Sequence, residues 1–176
     1  MTTQERIDKV LRARQAGGVK RCHTTPYAGS YTVSEHTCQM LFLLDVLCPK
    51  APLRLWRAIL HHDLHEYYTG DLPSSVRVVD PELRAAFEGA GEVVSEHFGW
   101  STAADLSEDE RRWLKALDCL ELFLWCHDEL NMGNDHAFPI LEFLIAWFDA
   151  NKTNVPYVVR SFVNRFEWRR ISSAEI

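Results

Sequence analysis

Four side chains offer chemistry by their type and position: His36, the adjacent pair His62-Asp63, and Asp118. Each interrupts or borders an apolar helical face, in the strings RAILHHDLHE and WLKALDCLELFLW. An unpaired carboxylate on a core face is costly, and burial drives it towards protonation. A divalent cation removes that cost, and mixed imidazole and carboxylate donors suit zinc, manganese, cobalt or iron. Neighbouring His62 and Asp63 can reach one ion despite the roughly 100° between successive helical residues, because imidazole is long and carboxylate short. Two histidines and two aspartates leave coordination positions open for water and a substrate oxygen. Glu66, three residues after Asp63 and four after His62, is expected on the same helical face, placed for proton handling without being a ligand.

The elements that must position these groups read as helices. Thr2 with Glu5 forms a capping-box pattern opening a first helix that Gly17 and Gly18 close. VKRCHTTPYAGSYT, with Pro26 and Gly29, is a long loop. Thr32 with Glu35 opens a second helix ending before Pro49, and a third runs from about Pro52 to Tyr68, stopping at Gly70. Asp80-Pro81 starts a fourth, lasting to about Phe98. Ser107 with Glu110 caps a fifth to about Leu130; a sixth covers Phe138 to Ala150, Asp135 and His136 reading as its cap, and a last one lies within 155–170. VRVV at 76–79 is the one strand-like string and is too short for a sheet. The expectation is an all-α, single-domain bundle of about six to seven helices, with a core over about 19–150.

Length and composition set outer limits. The chain has 176 residues, 47% of them apolar and 25% charged, ordinary for a globular domain. A net charge of −6 argues against a broad grip on nucleic acid but not against a small anionic substrate. The opening MTTQERIDKV lacks a signal-peptide stretch, and the longest apolar run, FPILEFLIAWF, is too short to span a bilayer. Five cysteines, at 22, 38, 48, 119 and 126, form an odd set without a CxxC pair. Free thiols in a reducing cytoplasm follow as the expectation.

The words SEHT, ILHHDLHEYYTGDLP and KALDCLE, in that order, resemble the HD-domain metal-dependent phosphohydrolases. Within them the chain most resembles the YfbR-like 5′-deoxynucleotidases and the short phage enzymes, among them the dATP triphosphohydrolases. The resemblance covers most of the chain, from about Val19 to Asp118 and beyond. It implies that His36, His62, Asp63 and Asp118 hold the metal, with Glu66 near the attacking water or the leaving oxygen. It further implies that Arg21 contacts substrate beside the metal, that Asp71 borders the sugar pocket, and that Arg77 faces the phosphates. Lys115, one turn before Asp118, could add charge beyond the α-phosphate.

One position departs from the pattern. Relatives often carry VKRW, with the tryptophan in the nucleotide pocket, where this chain has Cys22. Base and sugar selectivity are what that change touches.

The implied reaction is hydrolysis of a 2′-deoxynucleotide at its 5′-phosphate, as a 5′-deoxynucleotidase or a dATP-type triphosphohydrolase, with zinc, cobalt or manganese. The short length and the loop VKRCHTTP lean towards the phage branch. Hydrolysis of another phosphoester, such as a cyclic nucleotide, and a non-catalytic nucleotide or metal sensor are the alternatives. His61 and His65 read as supporting or exposed residues, since HHDLHE lacks the glutamate a zincin needs directly after its first histidine. Trp56, Trp113, Trp125 and Trp147 read as core or subunit-contact residues. Small-molecule substrates and a homo-oligomer, with neither nucleic acid nor membrane, complete the expectations.

Overall fold

The computed structural model describes residues 1–73 and 80–166. Its helices are α1 (Thr3–Ala16), α2 (Val33–Leu47), α3 (Leu53–His61), α4 (Glu66–Thr69), α5 (Pro81–Phe98), α6 (Glu108–Asn131), α7 (Phe138–Ala150) and α8 (Tyr157–Arg165). Two 3₁₀ turns, Ala103–Asp105 and Asp135–Ala137, precede α6 and α7. Among the described residues there is no β-strand, as an all-α fold requires.

Local sequence accounts for the helix starts. Thr2, Thr32 and Ser107 each accept the N–H three residues on, and Glu5, Glu35 and Glu110 return a carboxylate to the cap N–H. These reciprocal bonds satisfy two otherwise orphaned donors per helix. Asp80 Oδ1 accepts from the N–H groups of Glu82 and Leu83 at 3.0 and 2.9 Å, with Pro81 opening α5. The Asp135-His136 cap expected for α7 is corrected: Asn134 caps the 3₁₀ turn that contains both residues, its side chain accepting from His136 N, and α7 starts after Ala137 without a side-chain cap.

The single third helix expected over 52–68 is corrected. Its backbone leaves α-helical bonding after His61: Leu64 N donates to His61 O at 3.1 Å and Glu66 N to Asp63 O at 3.0 Å, both three residues back. The His62 ring also takes Ile59 O at 2.7 Å. Tight three-residue bonds of this kind replace the four-residue ladder at a functional turn. Glu66 therefore opens α4 instead of sharing one helical face with His62.

The loop after α1 is drawn shut by an antiparallel bridge between Lys20 and Thr32. Arg21 N donates to Tyr31 O and Val33 N to Val19 O, both at 2.9 Å. This closure sets Arg21 and Tyr31 beside the first turn of α2.

The core has three parts. Phe123, Leu120 and Cys126 of α6 pack with Leu141 and Leu144 of α7 and Val159 of α8. Met40 and Leu44 of α2 meet Leu55 and Ile59 of α3 and Leu117 of α6. Ala16, Leu64 and Trp100 join α1 to the turn after α3. Burying such side chains stabilises by about 1.5–3 kcal/mol each. The long α6 thus backs both larger clusters, and Asp118 departs from it between Leu117 and Cys119. Gly91 of α5 is buried against the His65 ring; a Cβ there would stand 2.6 Å from His65 Cδ2.

The C-terminal helix expected over 155–170 is described as α8; residues 167–176 lie outside the described residues, as do Arg77 and the VRVV string. No described helix is long and apolar enough to cross a membrane.

Candidate metal centre and its cavity

The α2 capping box puts His36 one turn into that helix, where its ring is fully buried. The turn after α3 delivers His62 and Asp63, and α6 delivers Asp118. His36 Nε2 lies 3.2 Å from His62 Nε2 and 3.3 Å from Asp118 Oδ1. One donor atom from each of these three residues fits within 4.8 Å of the others. Asp63 Oδ2 is 3.1 Å from His62 Nε2 and 3.9 Å from His36 Nε2.

Bonds of about 2.0–2.2 Å to one ion place neighbouring ligands roughly 3–3.5 Å apart. The His36–His62 and His36–Asp118 pairs meet that spacing and the third pair lies within 4.8 Å, so the donor set fits a divalent transition metal. Asp63 stands at the edge of the group, its Oδ2 also paired with Arg21 Nη1.

The remaining ring nitrogens are fixed. His36 Nδ1 bonds Glu121 Oε2, which also accepts from Tyr31 Oη at 2.6 Å. His62 Nδ1 faces Ile59 O at 2.7 Å, a partner that can only accept. With Nδ1–H occupied, Nε2 of each ring keeps its lone pair for an ion. Glu121 and Tyr31 were not among the residues expected from sequence. Glu121 stands one turn after Asp118, a second acid within an apolar helical stretch; Tyr31 carries no comparable signal.

Arg21 is buried between the acids, with Nη2 3.8 Å from Asp118 Oδ1. Burial opposes its charge, but Asp63, Tyr31, Glu66 and Asp118 more than compensate and raise its pKa well above the ordinary arginine value. Burial likewise opposes ionisation of Asp63, yet His62 and Arg21 hold its carboxyl well below the usual range. Asp118 is held low against burial by Lys115 and His36, the Lys115 Nζ standing 2.8 Å from its Oδ2. Both aspartates are thus carboxylates, the form that binds a cation.

A cavity of about 390 Å³ opens beside Asp63 and Asp118. Arg21, Cys22, Asp71 and Lys115, all expected at a substrate site, line it. Asp71 Oδ2 accepts from Cys22 N at 2.9 Å, which ties the segment after α4 to the arginine loop. Cys22 has φ 50°, the left-handed region, and burial pushes its thiol up to about 12. Glu66 is buried near Arg21 and does not line this cavity. Arg77 lies outside the described residues. Arg84 of α5 lines the cavity unforeseen, since it reads in sequence as an ordinary solvated charge. Trp147, expected as core or contact surface, borders the same space. His61 accepts from Ser101 N at 2.9 Å through Nδ1, and His65 packs on Gly91, so both support the turn.

Comparison with known proteins came out as follows. No protein-family model matches the chain. A 5′-deoxynucleotidase of Vibrio parahaemolyticus is 28% identical, over 77% of this chain and 81% of that protein. One of Vibrio vulnificus is 27% identical, over 78% and 83%. Among solved structures, the cyanophage S-2L HD phosphohydrolase DatZ, bound to dA and one catalytic Zn²⁺ ion, superposes with a TM-score of 0.64 at 17% identity, covering 86% of this chain and 89% of that one. The PH0347 protein of Pyrococcus horikoshii gives 0.64 at 17%, over 90% and 94%. The structural likenesses establish the fold, and the sequence relatives match over three quarters of the chain. On fold, sequence and donor set together, the chain is similar to the 5′-deoxynucleotidases and shares the fold of the HD phosphohydrolase DatZ.

Proposed function

We propose that this protein is a metal-dependent phosphohydrolase releasing the nucleoside from 2′-deoxynucleotides at the 5′-phosphate bond. The observation that carries the reading is the convergence of His36, His62 and Asp118, with Asp63 at the edge, behind a cavity that Asp63, Asp118 and Arg21 line. The curated relatives named 5′-deoxynucleotidase support a monophosphate substrate. The DatZ structure, with dA and catalytic Zn²⁺, supports a deoxynucleoside in such a fold and keeps a triphosphate substrate as the second reading.

His36, His62, Asp63 and Asp118 would hold the ion; when bound, it would lower the pKa of a water and polarise a phosphate oxygen. Glu121 and Ile59 O fix the imidazoles so that Nε2 faces the ion. Arg21, kept cationic in a buried position, offers Nη groups to phosphate oxygens. Lys115 and Arg84, which line the cavity, supply further positive charge for an anionic substrate. Asp71, held by Cys22 N, is placed to accept from a sugar hydroxyl. Glu66, buried near Arg21, is the residue for proton transfer at the water or the leaving oxygen.

The free state of all five cysteines supports a reducing, cytoplasmic setting. The exposed side chains of Phe42 and Val46 on α2 and Tyr157 on α8 support contact between copies of the chain, which sedimentation would test. A single domain throughout remains part of this reading.

The test is a product assay with Zn²⁺, Mn²⁺ or Co²⁺ across the four dNMPs, the four dNTPs and their ribonucleotide counterparts. Nucleoside and phosphate from dNMPs support the deoxynucleotidase. Nucleoside and triphosphate from dATP support the second reading. Silence on every substrate overturns both.

A further inference from the structure

The lining of the cavity divides into two chemical groups. Arg21, Asp63, Asp118 and Lys115 form the charged part beside the metal donors. The apolar part is Leu122 of α6 with Ile140, Phe143, Leu144 and Trp147 of α7. The four α7 residues stand at i, i+3, i+4 and i+7, which is one helical face. Leu141, Leu144 and Phe148 are buried in the core, and Ile140 and Trp147 pack against it, but Trp147 is only partly buried and Phe143 is 49% exposed, so both rings keep surface outside the core. Aromatic surface lining a cavity beside a charged site is available to a ligand.

Cys22, at the arginine loop, offers no ring to such a ligand. Thr24 and Thr25, which also line the cavity, are short hydroxyls. From this division we infer that Phe143 and Trp147 form the stacking wall for the nucleobase, so that α7 sets base preference by ring face more than by hydrogen-bond pattern. The inference rests on the deoxynucleotide reading above. A phosphate at Arg21 leaves the sugar against Asp71 and sends the base away from the charged part, towards α7. Stacking on an aromatic side chain tolerates every base and favours the larger purine surface.

The experiment compares wild type with Trp147→Ala and Phe143→Ala on three substrates: dAMP, dCMP and the base-free 2-deoxyribose 5-phosphate. Stacking worth about 1–3 kcal/mol corresponds to a rise in KM of about fivefold or more for dAMP in each variant. The account expects kcat within about twofold, a smaller rise for dCMP, and an unchanged KM for the base-free sugar phosphate. Equal loss on all three substrates, or no change for dAMP, overturns the wall. If the wild type hydrolyses none of them, the deoxynucleotide reading fails on its own, and binding of deoxyadenosine by equilibrium dialysis still decides. Binding lost in Trp147→Ala supports the wall, and no binding by wild type overturns it. Retained far-ultraviolet circular dichroism and metal content in both variants separate a lost wall from a lost fold.

Discussion

The Nδ1 of His36 is bonded to Glu121, an acid that comes from another helix and touches no part of the cavity. This contact decides which nitrogen of a fully buried ring is left for an ion, and Tyr31 Oη completes it from the closed loop. Glu121→Ala is expected to weaken metal affinity by about 10–100-fold, the usual scale for losing a partner behind a ligand. Tyr31→Phe should cost less, because Glu121 keeps His36. Titration of stripped protein with Zn²⁺ against a competing chelator measures both. Unchanged affinity in Glu121→Ala would show that the ring is fixed by something else.

Gly91 and His65 give a second test, directed at the turn that carries His62 and Asp63. A methyl group at position 91 would overlap the His65 ring, and relief requires that ring to move. Gly91→Ala is expected to destabilise by about 1–3 kcal/mol and to lower metal affinity along with it. The double variant Gly91→Ala/His65→Ala should recover most of the stability. Denaturant unfolding of the two singles and the double measures the coupling, and additive losses would dismiss this contact as the cause.

Cysteine chemistry separates the loop from the surface. Cys38 is exposed, whereas burial pushes the Cys22 thiol up to about 12. Iodoacetamide at pH 8 should modify Cys38 and spare Cys22, since the thiolate is the reactive form. Mass spectrometry of digested protein reads the sites directly. Rapid labelling of Cys22 in the folded protein would mean that the loop opens readily.

The N-terminus of α6 carries a pH-dependent contribution. Glu110 is held at about 2, below its ordinary 4.5, first by its bond with Arg54 and then by Ser107 N–H. A depressed carboxyl stabilises the fold above its unfolded value and loses that contribution as pH falls from about 4.5 to about 2. Glu110→Gln should therefore be less stable at neutral pH and show a flatter stability profile over that acid window. Thermal melts at stepped pH measure it, and parallel profiles for the two proteins would remove Glu110 from the account.

Much of this was legible before any coordinates. Capping boxes at Thr2, Thr32 and Ser107 are local reciprocal bonds, so their letters suffice to place three helix starts. Acids on apolar faces at 63 and 118 betray a buried charge that needs a cation. The break after His61 was not legible, because RAILHHDLHEYY contains neither Gly nor Pro to end a helix and the tight turn has tertiary partners such as Ser101 N. Glu121 and Tyr31 matter through a contact spanning 90 residues, which no local pattern encodes. Trp147 reads as core or contact surface in sequence and does pack against the core, but periodicity alone cannot show that it also lines a cavity.

The most direct test of the central claim is turnover by protein loaded with Zn²⁺ or Mn²⁺, set against Asp118→Ala, on dAMP and dATP. The account predicts deoxyadenosine release by the wild type, with metal bound, and loss of at least ~100-fold in the variant, whose ion has lost a ligand. Circular dichroism of the variant should match the wild type. Comparable turnover by metal-free Asp118→Ala protein would contradict the assignment of the site.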